Sequence, residues 1–73
     1  MEKFRIVLTP SDSEGLLTIM DITARNVDAA REQATAYLAM LGNQCKSATV
    51  MSQWKSPLSW RQALDPIIFN NNL

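Results

Sequence analysis

The sequence predicts an α+β fold, a single ββαβ layer in which a three-stranded sheet is covered by one helix, with a short helical turn near the C-terminus. Three observations carry this. Lys3 to Thr9 alternates apolar and polar residues, Asn26 to Gly42 repeats its apolar residues at three- and four-residue steps, and Cys45 to Trp54 is again strand-like.

In the first strand Phe4, Ile6 and Leu8 share one face and Lys3, Arg5 and Thr9 the other, and Pro10 is expected to end it. Ser11 to Gly15 is turn chemistry, with short polar side chains that bond their own backbone and a glycine able to take a positive φ. A second strand is expected from Leu16 to Arg25, with Leu16, Met20, Ile22 and Ala24 facing the core, so that the two strands form an antiparallel hairpin.

Asn26 is an N-cap, Asp28 places negative charge in the first helical turn, and Gly42 stops the helix. Val27, Ala30, Ala34, Tyr37, Leu38 and Leu41 make its buried stripe, small at the two alanines, while Arg31, Glu32, Gln33 and Thr35 face water. In the strand that follows, Ala48, Val50 and Trp54 are expected inward and Thr49, Met51 and Gln53 outward. The helix is long enough to bring this strand back parallel to one member of the hairpin. Further on, Ser59 to Gln62 matches a capping box, which predicts a turn and a half of helix from Trp60 to Asp65, stopped by Pro66 and stapled by Leu58 onto Ala63. Ile67 to Phe69 reads as an extended apolar patch that docks on the open sheet face, orders in a complex or joins two protomers. Residues 1–69 are expected to form one compact domain and 70–73 a disordered tail.

Composition narrows the function. The chain has 73 residues, seven Lys plus Arg, seven Asp plus Glu, no histidine and one cysteine. Without histidine there is no imidazole base and no His metal ligand, and Cys45 alone makes neither a disulfide nor a cysteine cluster. No catalytic residue, cofactor or metal is therefore assigned, and the expected class is non-enzymatic. Ordering a chain costs about 1.5 kcal/mol per residue, so nearly all of its larger apolar side chains must be buried, which leaves little for a cavity or a small-molecule substrate. One cysteine, a charged alternating start and no long apolar run predict a cytoplasmic protein without a membrane segment. Zero net charge disfavours direct nucleic-acid binding, which draws its affinity from Lys and Arg. The charge is nevertheless uneven, since residues 1–24 are slightly acidic and residues 25–73 slightly basic.

What remains is material for an interaction surface. Trp54, Lys55, Trp60 and Arg61 are close in sequence, and Trp and Arg are favoured at binding hot spots. Arg5, Lys46, Lys55, Trp60 and Arg61 are the expected partner contacts, with Lys3 and Arg25 able to extend them.

The junction Ile22-Thr23-Ala24-Arg25-Asn26-Val27-Asp28-Ala29-Ala30-Arg31-Glu32-Gln33-Ala34 resembles the strand-to-helix junction of the small inhibitors and regulators of host RNA polymerase encoded by lytic phages. The order of strands, helix and final strand is similar to that of the T-odd coliphage inhibitors, and length and layout look like the sigma-displacing transcription regulators of Xanthomonas phages. The resemblance covers Leu16 to about Trp54. It implies a phage-encoded transcription regulator that binds bacterial RNA polymerase in the host cytoplasm and inhibits initiation, with sigma displacement as one route. The arginines on the last strand of the coliphage proteins have no counterpart here, because Ser47 to Gln53 contains none. Binding charge would come instead from Lys46, Lys55 and Arg61, or from Arg5 and Arg25. Two other classes share this layout or composition: an anti-CRISPR or antitoxin-like inhibitor of another bacterial complex, and a small single-stranded nucleic-acid binder using Trp54, Trp60 and their basic neighbours.

Overall fold

Period-two alternation at the start of the chain does produce a hairpin. The computed structural model of the protein describes residues 1–68, apart from the side chains at 54 and 56–58. Strand β1 (Glu2–Pro10) pairs antiparallel with β2 (Thr18–Ala24) in unbroken register, from Glu2 opposite Ala24 to Leu8 opposite Thr18. Phe4, Ile6 and Leu8 are fully buried on one face.

Three local expectations change. β2 starts at Thr18, and Leu16 is 88% exposed instead of sharing the core face, because the ladder with β1 stops at Leu8 and Leu16 belongs to the connection. Pro10 ends β1 from inside it, as the last residue of the strand and not the first beyond it, opposite Cys45 at a shift of register where the missing N–H of proline is tolerated. Gly15 does not adopt a positive φ. It supplies space, since a Cβ there would sit 2.6 Å from Cβ of Pro10, and its N–H donates to the Asp12 carbonyl at 2.9 Å.

Helix α1 (Val27–Leu41) forms where the periodicity places it. Asn26 Oδ1 accepts from the Ala29 N–H at 2.9 Å, and Gly42, at φ 58, closes the other end with its N–H on the Leu38 carbonyl. Ala30, Ala34 and Leu38 are buried against the sheet. Three of the side chains expected to face water reach protein groups as well, Thr35 by donating its Oγ1 hydroxyl to the Arg31 carbonyl at 2.9 Å. Arg31 Nη1 donates to the Asp65 carbonyl at 2.7 Å, and Gln33 Nε2 to the Thr23 carbonyl at 3.2 Å.

A turn of 3-10 helix, Gly42–Gln44, leads into β3 (Cys45–Trp54), whose Ala48 and Val50 are buried. β3 runs in the direction of β2 but pairs with β1, antiparallel, so the helix crosses over the central strand. The side chain of Trp54, expected inward, lies outside the described ones.

The three-stranded ββαβ layer is too small a description. The chain continues into β4 (Ser56–Gln62) and β5 (Ile67–Ile68), both antiparallel to β3, in a sheet of order β2-β1-β3-β4 with β5 beside β3 next to β4. The helical turn expected from Trp60 to Asp65 does not form; Trp60, Arg61 and Gln62 pair with Gln53, Ser52 and Met51. Lys55, at φ 64, reverses the chain at once after β3, so the following residues satisfy the outer edge of β3. A helix of a turn and a half would have left that edge open and offered few hydrogen bonds of its own. Ile67 and Ile68 are extended, as their apolar run suggests, but they pair with the edge of β3 at Ala48 and Ser47 instead of docking on a face. Phe69 and the expected tail at 70–73 lie outside the described residues.

Candidate functional site

One face of the sheet is covered by α1. The other is not covered by any element among the described residues, and strand register says which side chains it carries. Toward the β1–β2 connection are Ile19, Val7 and Thr49 in one row. The next row holds Asp21, Arg5, Met51 and Gln62, and then come Thr23, Lys3, Gln53 and Trp60.

Arg5 organises the polar part of this face. Its Nε donates to Asp21 Oδ1 at 2.8 Å and its Nη2 to Asp21 Oδ2 at 3.3 Å, a two-pronged pair across the β1–β2 ladder. Its Cζ lies 4.4 Å from the centroid of the Trp60 ring, within range of a cation–π contact. Because β3 separates β1 from β4, the indole must lean over β3 to reach the guanidinium. The hydrogen bond from Arg5 holds the Asp21 carboxyl below its ordinary value of 3.8, and the same bond raises Arg5 above its own. Both groups are solvent-accessible, so the pair contributes orientation more than stability.

Of the five predicted contacts, then, Arg5 and Trp60 come together. Lys46 and Lys55 sit at opposite ends of β3, separated by roughly 30 Å at ~3.3 Å per residue. Lys46 occupies the register shift opposite the end of β1, and Lys55 is the exposed turn residue before β4. Arg61, opposite Ser52, has the parity of the helix-covered face and lines a cleft of about 510 Å³ with Glu2, Asn26, Asp28 and Leu64. Arg25 is exposed in the connection between β2 and α1. Sequence reasoning missed Asp21 as the partner of Arg5. Parity alone allows that pair, but a connection of seven residues between β1 and β2 leaves the hairpin register undetermined from sequence.

Among the described residues no group of three or more His, Cys, Asp or Glu is placed to hold a metal ion, and no helix is long and apolar enough to cross a membrane. Cys45 is buried.

No protein-family model matches the chain, and neither does any curated protein or solved structure.

Proposed function

We propose that this chain is a non-enzymatic regulator that binds bacterial RNA polymerase through its uncovered sheet face and inhibits initiation. The observation that carries the docking surface is Arg5, braced by Asp21 and laid over Trp60 beside the apolar side chains of Ile19, Val7 and Met51. A large aromatic and a pre-oriented guanidinium next to apolar area is the composition of a binding hot spot. The polymerase as target, a phage as source and the host cytoplasm as location come from the resemblance of the Ile22 to Ala34 junction, whose Asn26 cap is formed here. The ββαβ layout in that resemblance accounts for the chain only as far as β3, and β4, which supplies Trp60, lies beyond it. The mechanism is occupancy: a ligand shifts an assembly only by its differential affinity for the two states, so the occupied surface must be one the productive complex needs. Loss of sigma factor from the holoenzyme is the finer form of this proposal. Direct recognition of single-stranded nucleic acid is disfavoured, because the Arg5 guanidinium lies over an indole face that a base would stack on.

The test is co-elution of the protein with purified bacterial RNA polymerase, together with promoter-dependent transcription. Trp60→Ala should weaken binding by about 2 kcal/mol, roughly 30-fold. Arg5→Ala should weaken it in the same direction, and Lys46→Ala should matter little. Absence of binding at micromolar concentration overturns the proposal.

A further inference from the structure

The two edges of the sheet are built differently. β4 contains Pro57, which has no N–H to offer, and its ladder with β3 breaks register between Gln53 and Trp54, next to the left-handed Lys55. Such features discourage a further strand from adding. β2 has none of them: its seven residues include no proline or glycine and keep one register with β1 throughout.

Which backbone groups β2 presents follows from the ladders. The Ala63 N–H donates to the Val50 carbonyl at 2.8 Å, so Val50 and the other even-numbered residues of β3 up to Ser52 turn their N–H and C=O toward β4, and odd-numbered ones toward β1. Through the pairs Met51–Arg5 and Thr49–Val7, odd-numbered residues of β1 face β3, and even-numbered ones face β2. The pairs Phe4–Ile22 and Ile6–Met20 then turn Ile22 and Met20 toward β1. Ile19, Asp21 and Thr23 are left pointing N–H and C=O outward. The Gln33 bond agrees with this and closes the outward Thr23 carbonyl. The edge therefore offers two complete donor–acceptor pairs, those of Ile19 and Asp21.

We propose that β2 is the interface of a two-fold dimer, in which a second copy of the chain adds its own β2 antiparallel with the axis at Met20. A two-fold axis perpendicular to the sheet must pass through a residue, because directly opposed side chains share a face. An axis at Asp21 would oppose two carboxylates and draw on the Thr23 carbonyl that Gln33 holds. An axis at Ile22 draws on the same carbonyl. An axis at Met20 places Ile19 opposite Asp21 of the partner copy twice over, forming four N–H···O bonds from groups that are available. On the helix side it sets Met20 against Met20 and Thr18 against Ile22, with no like charges opposed. The edge is self-complementary in this register, which is the reason for choosing a second copy as its occupant. Dimerisation also adds apolar cover beside Ile19, which is 57% exposed in the single chain. The two uncovered faces become one surface with two Arg5–Trp60 pairs.

Sedimentation equilibrium from micromolar to millimolar concentration, with residue-resolved amide exchange, tests this without any other protein. The mass should rise toward that of two chains, and the Ile19 and Asp21 amides should gain protection as it does. Ile19→Asp, which faces the partner copy's Asp21, should raise the dissociation constant by at least about tenfold, since the contact occurs twice. Ile19→Lys should keep the dimer, because an ammonium then faces that carboxylate. A single-chain mass at every concentration overturns the proposal, as does a dimer that Ile19→Asp leaves intact.

Discussion

Arg5 lies between a carboxylate and an indole, and each partner limits a different freedom of its side chain. Asp21 fixes the direction of the guanidinium through two hydrogen bonds, and Trp60 lies against it. Since Asp21 has a lowered pKa in the folded chain, its contribution to stability is full above the unfolded-state value near 3.8 and is lost as pH falls through the lower native value. The melting temperature of Asp21→Asn should therefore lie below that of the parent at neutral pH and converge with it in strong acid. A constant gap at all pH values would show that the ion pair is not its source. Leu64 presents a different problem. It is held at φ 71 while its side chain is 60% exposed, so it carries backbone strain with little burial in return. Its carbonyl is tied to Gln62 Nε2 at 3.0 Å. Leu64→Gly should raise stability by about 1 kcal/mol, seen as a higher denaturant midpoint at unchanged slope.

At the scale of elements, α1 and β4 show what sequence patterns can resolve. The helix was legible because cap, stripe and stop agree: Asn26, then Ala30, Ala34 and Leu38, then Gly42. Its alanines set how closely it approaches the sheet, so Ala34→Leu should overpack the interface and cost about 1–3 kcal/mol in chemical unfolding. β4 was not legible, because Ser59 to Gln62 satisfies the capping-box pattern as well as it satisfies a strand. The deciding feature is the reversal at Lys55, a non-glycine residue at positive φ, and a lysine does not announce such a turn. The candidate site was half legible for the same reason. Arg5 and Trp60 stand out by residue type, but their contact depends on Trp60 being on a strand beside β3. Lys46, Lys55 and Arg61 have suitable chemistry, and the fold distributes them elsewhere.

For the molecule as a whole, β1 and β3 are the two interior strands, β1 between β2 and β3, and β3 between β1 on one side and β4 with β5 on the other. Their paired amides should exchange slowest. β5 offers a sharper measurement: Ile67, opposite Ala48, turns its N–H toward β3, whereas Ile68 does not. The Ile67 amide should be protected and the Ile68 amide should exchange freely; equal, fast exchange at both would mean that β5 is not paired in solution. Local pattern alone determined the β1 alternation, the helix with its two ends and the inward Ala48 and Val50 of β3, because each depends on periodicity and caps within one segment. Only the tertiary structure decided that β3 lies beside β1, that the C-terminal segment closes the edge of β3 as strands, and that Arg5 meets both Asp21 and Trp60. Those outcomes depend on hydrogen-bond registers between segments far apart in the chain, and a shift of one residue in any of them would turn the same side chains to the opposite face.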